Sequence, residues 1–213
     1  MSSDRFIVAV PKGALYEEAA RRLRKARINV PADPGRRLQF SLEGGSVEVL
    51  LLRPTDVPAY IEYGAADCGI VGKDTLWETD RSVAELADLG FGKCRLVVAG
   101  RAADGYHEGK RFPTFLRVAT KFKRTAQAYF AQRNIPCEII GLHGSVELGP
   151  LVGLSDVIVD LVSTGTTLKE HDMVVIDDID QSSARFVANP VCFRTKHDRM
   201  LELLTCLEAS NGI

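Results

Sequence analysis

The chain has 213 residues, with 27 Lys and Arg against 28 Asp and Glu, a formal net charge of −1. That balance removes the global basic signature of a duplex nucleic-acid binder, and 46% hydrophobic with 26% charged residues describes a globular chain rather than a disordered one. No run of about 18 apolar residues is present, so no transmembrane helix and no membrane partner are expected, and the opening MSSDRFIVAV lacks the apolar stretch of a secretory signal.

Apolar runs alternate with helical patterns. Phe6–Val10 reads as a buried strand, and Leu15–Arg27 as a helix with Leu15, Ala19, Leu23 and Ala26 on one face and arginines on the other. Val47–Leu52 is a second strand. Thr55 is placed to cap a helix through Ile61, and Cys68–Val71 is a short buried strand. Arg95–Ala99 and Leu116–Ala119 are strands, Lys121–Arg133 a helix, Glu138–Ile140 and Val157–Leu161 strands again. Val174–Ile176 and Arg185–Ala188 are the last strands before a helix around Arg199–Leu207. Such alternation implies an α/β fold of parallel sheets covered by helices. The strands outnumber those of one small sheet, which favours two lobes. Cys68, Cys94, Cys137, Cys192 and Cys206 are scattered and form no CxxC, so reduced core thiols in a cytosolic protein are expected. His107, His143, His171 and His197 lack metal-ligand spacing, and no metal site built from the chain itself is expected.

The most informative segment is Ser155–Leu168, SDVIVDLVSTGTTL. A β-branched run ends in Asp160, then Ser163-Thr164-Gly165-Thr166-Thr167 leads into a helical start. Gly165 permits a backbone that gathers several N–H groups at one point, the helix terminus adds unpaired donors, and the hydroxyls add more. The segment is either a phosphate-monoester cradle or an ordinary strand-to-helix turn capped by hydroxyls. Asp160 stands at the carboxyl end of its strand, where open α/β sheets bind ligands, and an acid there suits ribose hydroxyls. Two other glycine motifs fail. Gly69–Asp74 has a P-loop's lysine but too short a spacing and no following Ser or Thr, and Gly90–Arg95 has Arg95 where a dinucleotide fingerprint needs its third glycine.

Glu147, Gly153, Ser155, Ile158, Asp160-Leu161, Thr164-Gly165 and Thr167-Leu168 stand in a single register that resembles the signature of the ATP phosphoribosyltransferase family, the first enzyme of histidine biosynthesis. The similarity extends to Pro11-Lys12-Gly13, Leu52-Arg53-Pro54, Asp67-Cys68-Gly69, Gly72 with Asp74, Leu89–Gly92 and Ala119-Thr120-Lys121. The resemblance implies a two-lobed fold like that of periplasmic binding proteins, with a central cleft. Residues 1–95 with 181–213 would form the first lobe, and 96–180, carrying the PRPP loop, the second. It implies that ATP condenses with 5-phosphoribosyl 1-diphosphate (PRPP) to give N1-(5-phosphoribosyl)-ATP and diphosphate. Mg²⁺ would be held mainly through the substrates' phosphates. Residues 169–213 leave no room for the regulatory domain of the family's long form, so the short form is expected. That form is a cytoplasmic hetero-oligomer with a regulatory subunit similar to histidyl-tRNA synthetase, together with self-association.

On this resemblance Glu147, Asp160, Ser163, Thr164, Gly165, Thr166 and Thr167 bind PRPP, Lys12, Gly13, Arg53, Asp67 and Gly72 meet ATP, and Asp160, Arg53 and Lys12 carry catalysis. Glu147 has a helix-capping alternative, and Asp67 and Asp74 are equally suited to turn formation. Lys121-Phe122-Lys123-Arg124 is a basic helix start, either solvated or facing diphosphate. Ala14 stands where many relatives carry Arg. The competing reading is a non-catalytic two-lobed binding protein for a phosphorylated sugar or nucleotide.

Overall fold

The computed structural model describes residues 5–209. In chain order the elements are β1 (Phe6–Pro11), α1 (Tyr16–Lys25), β2 (Gln39–Leu42), β3 (Val47–Leu52), α2 (Val57–Glu62), β4 (Cys68–Gly72), α3 (Lys73–Thr79) and β5 (Ala84–Asp88). They continue with β6 (Cys94–Arg101), β7 (Leu116–Thr120), α4 (Lys123–Gln132), β8 (Cys137–Gly141), α5 (Leu148–Leu151), β9 (Val157–Val162), α6 (Thr166–Glu170) and β10 (Met173–Ser182). The last are β11 (Ala184–Ala188), α7 (Pro190–Thr195) and α8 (His197–Glu208). Among the described residues no helix is long and apolar enough to cross a membrane.

Two compact units result. Described residues up to Gly92 and from Ser183 onward form the first, and Lys93–Ser182 form the second. The first unit holds a six-stranded sheet in the order β2-β3-β1-β4-β11-β5. Strands β3, β1 and β4 run parallel, while β2, β11 and β5 are antiparallel to their neighbours. Side chains of β1 alternate between faces. Phe6, Val8 and Val10 join Leu23, Leu51, Phe186 and Met200 on one side. Ala9 joins Val57, Ile61, Val71 and Val187 on the other.

The second unit holds a five-stranded sheet in the order β10-β6-β9-β7-β8. Here β9, β7 and β8 are parallel, β6 is antiparallel to β9, and β10 is antiparallel to β6 with two bulges. Val97, Ala99, Ala119, Ile158, Val162, Leu168 and Met173 form its core around β9. The sheets are therefore mixed rather than wholly parallel. Each sheet is a parallel trio joined by crossovers and extended by antiparallel strands, with β8 of the second trio forming one edge of its sheet.

Three local expectations need correction. Thr55 lies inside a 3₁₀ turn, Pro54–Asp56, and caps nothing; α2 starts at Val57 with Pro58 in its first turn, where proline's missing N–H is harmless. Arginines of α1 do not all face water. Arg22 is buried, its Nη1 donating to the Leu89 carbonyl at 2.7 Å and the Leu207 carbonyl at 3.3 Å and its guanidinium stacked 4.5 Å from the Phe91 ring centroid. Of the cysteines only Cys68 is fully buried; Cys94, Cys137 and Cys192 are half-buried and Cys206 is exposed.

Glu18 ties this clamp to pH. Hydrogen bonds from Arg21, and then from Arg22, hold its carboxyl down at about 2 against the ordinary 4.5, with burial opposing them. A depressed carboxyl stabilises the fold above its unfolded value and loses that contribution as pH falls through the folded one. Glu18→Gln is therefore expected to lower stability near neutrality and to narrow its gap to the parent between about pH 4.5 and 2. Denaturation midpoints across that range check this.

Candidate active site

The candidate PRPP residues converge in the second unit. A cavity of about 230 Å³ is lined by Glu147, Asp160 and the run Ser163–Thr167, with Val97, Ile158 and Leu168 as apolar walls. β9 delivers Asp160 near its carboxyl end, and Val162, which is buried, anchors the strand before the chain turns outward. Gly165 then adopts φ 77°, ψ 6° as the N-cap of α6. Non-glycine residues rarely enter this left-handed region. The Gly165 carbonyl accepts from Lys169 N at 3.2 Å, and Leu168 is packed into the core on the next turn. Ser163, Thr164, Thr166 and Thr167 are exposed, with the Thr164 and Thr166 hydroxyls 3.0 Å apart. The loop thus presents hydroxyls and the opening N–H groups of a helix to one small volume, an arrangement suited to an oxyanion.

Asp160 is the acid of this cavity. Its Oδ1 is buried and receives no hydrogen bond. Burial raises its pKa above the usual 3.8, Lys121 and the Leu161 backbone N–H oppose that, and Glu147 reinforces it. Glu147 occupies the N-cap position of α5, yet its side chain makes no capping bond there, and it lines the cavity instead. The capping alternative thus gains no support. Two carboxylates with one unsatisfied buried oxygen can accept from vicinal hydroxyls.

In the first unit, the parallel register gathers Lys12, Arg53 and Gly72 at one sheet edge. Pro11 pairs with Leu52, so Lys12 and Arg53 leave the carboxyl ends of neighbouring strands together, and Lys12 N donates to the Leu52 carbonyl at 2.8 Å. Gly13 follows at φ 83° with open space around the position a Cβ would take. Gly72 ends β4, which is parallel to β1, and a Cβ there would lie 2.3 Å from Asp74 Oδ1. The carboxyl edge of parallel strands is where α/β sheets place ligands.

Asp67 is not part of that edge. It precedes β4, at the opposite end from Gly72, and is buried. Its Oδ2 accepts from Ile7 N at 2.7 Å, and both carboxylate oxygens lie 2.8 Å from Lys196 Nζ. The carboxylate is taken up by long-range contacts of the fold rather than by the local turn considered for it. What sequence reasoning missed in the second unit is Lys121 as the partner of Asp160, with Nζ 3.4 Å from Oδ1. Parallel pairing of Thr120 with Val159 brings the two together, and no sequence spacing shows it.

Comparison with known proteins identifies the family. A family model for ATP phosphoribosyltransferase matches residues 53–209. The ATP phosphoribosyltransferase of Moorella thermoacetica is 45% identical over 218 aligned residues, covering 100% of this chain and 96% of its own. That of Rubrobacter xylanophilus is 48% identical, covering 92% of each. A chain of the ATP phosphoribosyl transferase (HisG:HisZ) complex from Thermotoga maritima superposes with a TM-score of 0.83 at 36% identity, covering 96% of this chain and 97% of that one. The substrate-binding protein of an amino acid ABC transporter shares the fold alone, with a TM-score of 0.54 at 15% identity over 97% of this chain and 96% of its own. With its family model matched over most of the length and close relatives aligned nearly end to end, the chain belongs to the ATP phosphoribosyltransferase family, the transferases that open histidine biosynthesis.

Proposed function

We propose that this chain joins ATP to PRPP with the ribose 5-phosphate seated on Ser163–Thr167, the ribose hydroxyls on Asp160 and Glu147, and the triphosphate or departing diphosphate on Lys12 and Arg53, beside Gly13 and Gly72. The observation that carries the reading is Asp160, whose buried Oδ1 lacks a hydrogen bond, in the same cavity as the left-handed Gly165 loop.

Adenine N1 brings its own lone pair, so the step needs no strong base. The N1–C1′ bond forms as the C1′–O bond to diphosphate breaks, and the bonding pair leaves with diphosphate. Positive charge gathers on the ribose carbon and negative charge on the leaving group. Positioning and electrostatic stabilisation then dominate. Lys12 and Arg53 offset the leaving charge, and Arg53 can grip two phosphate oxygens at once. Mg²⁺, when bound, neutralises phosphate charge on the substrates; the chain's part is to hold those phosphates. We place the reaction in the cytoplasm, in keeping with a biosynthetic transferase family. The Thermotoga maritima complex supports a hetero-oligomer, here with a histidyl-tRNA-synthetase-like regulatory subunit, alongside self-association.

Asp160→Asn keeps the shape and removes the charge. Turnover is expected to fall at least ~10-fold, about 1.4 kcal/mol of transition-state stabilisation, with the fold intact by circular dichroism. The assay mixes the protein and its partner subunit with ATP, PRPP and Mg²⁺ and follows phosphoribosyl-ATP by mass spectrometry. Unchanged kinetics in the variant would remove Asp160 from the mechanism.

A further inference from the structure

Adjacent parallel strands place Lys121 beside Asp160. β7 pairs with β9 so that Thr120 faces Val159; Lys121 follows directly after β7, and Asp160 is the next residue of β9. The backbone around Lys121 is fixed from both sides. Thr120 is fully buried; its Oγ1 donates to the Val159 carbonyl at 2.7 Å and accepts from Phe122 N at 2.8 Å. Lys121 Nζ lies 5.0 Å from the Phe122 ring centroid and 3.4 Å from Asp160 Oδ1. The pair is held by charge, with no well-aligned hydrogen bond at Oδ1, so that oxygen can still accept from a ligand hydroxyl.

We propose that Lys121 is a positioning residue of this site, holding Asp160 as a charged acceptor turned toward the cavity until the ribose hydroxyls arrive. The proposal rests on the PRPP reading of the loop. The charged groups facing Asp160 are Lys121 from the β7–α4 junction and Glu147 from the start of α5. On β6 the residue opposite is Val97, and the other cavity walls bear no charge. Burial and Glu147 both work against the charged carboxylate, and Lys121 is the one side chain working for it. An ammonium suits the task because it acts as a point charge, whereas a guanidinium fork would occupy both carboxylate oxygens.

Calorimetric titration of Mg²⁺–PRPP from acid to neutral pH tests this on the wild type, Lys121→Met, Lys121→Arg, Asp160→Asn and the Asp160→Asn/Lys121→Met double variant. In the wild type, affinity should fall at acid pH as Asp160 gains its proton. Lys121→Met should move that midpoint up by about one pH unit, the scale of a lost opposite charge at this range. Lys121→Arg should keep the midpoint near the wild-type value but at lowered affinity, because its fork covers the acceptor oxygens, and in the Asp160→Asn background, which lacks this titration, Lys121→Met should leave the pH profile unchanged. An unmoved midpoint in Lys121→Met overturns the proposal while leaving the PRPP reading standing. So does an equal weakening at every pH, which would mark Lys121 as a phosphate contact. Wild-type affinity in Asp160→Asn would overturn the PRPP reading and the proposal together.

Discussion

Gly165→Val is expected to abolish measurable PRPP binding while the protein stays folded. Gly165 sits at φ 77°, and a left-handed backbone costs an ordinary L-residue roughly 1–2 kcal/mol, more for a β-branched one. Space is not the obstacle, because the nearest atom to an added Cβ is Val162 Cγ1 at 3.8 Å. The strain is in the backbone itself, and the loop escapes it by rotating out of the left-handed region. That moves the Thr166 and Thr167 N–H groups out of the arrangement proposed to hold the 5-phosphate. Loss of two charge-assisted hydrogen bonds at ~1.5 kcal/mol each or more weakens binding at least ~10²-fold. Core residues Val162 and Leu168 flank the loop and keep α6 docked, so the melting transition should survive. Calorimetric titration with PRPP measures this, and affinity equal to that of the parent would refute the cradle.

Lys196→Met should produce a large loss of stability although it lies outside the site. Lys196 ties the α7–α8 junction to the start of β4, with Nζ at 2.8 Å from both oxygens of the buried Asp67 and donating also to the Arg5 carbonyl. Cys192 adds its thiol, pushed up to about 11 by burial and by Asp67 beside it. Without Lys196 the carboxylate keeps only the Ile7 N–H and that thiol. Breaking one side of a buried pair costs about 3–5 kcal/mol. Urea unfolding should show a lower midpoint with an unchanged slope. Adding Asp67→Asn should return part of the loss, since it removes the stranded charge. A change under ~1 kcal/mol would mean the pair is solvated and carries little.

How much of this was legible in the sequence differs by element. The Ser163–Thr167 loop could be read because strand, turn and helix start are contiguous and Gly165 stands where a left-handed residue is needed. Buried central strands such as Phe6–Pro11 and Val157–Val162 were visible as unbroken apolar runs. β2 and β5 were not, because each lies at the rim of its sheet with two of its residues facing water, and Ala84–Asp88 carries Glu85 and Asp88 where strand formers are usual. The basic start of α4 is visible in the sequence, but the contact of Lys121 with Asp160 is not, because it exists only through the β7–β9 register. Likewise Asp67 looked like a neighbour of Gly72 along the chain, whereas β4 carries the two to opposite ends of the sheet. Arg22 seemed a surface residue because its carbonyl partners, Leu89 and Leu207, are far away in sequence.

The most direct test of the account is a crystal structure of the chain with PRPP bound. The expected result is the 5-phosphate on the Ser163–Thr167 N–H and hydroxyl groups, with Asp160 Oδ1 accepting from a ribose hydroxyl. A 5-phosphate seated elsewhere, with Asp160 Oδ1 still lacking a hydrogen bond, would contradict it.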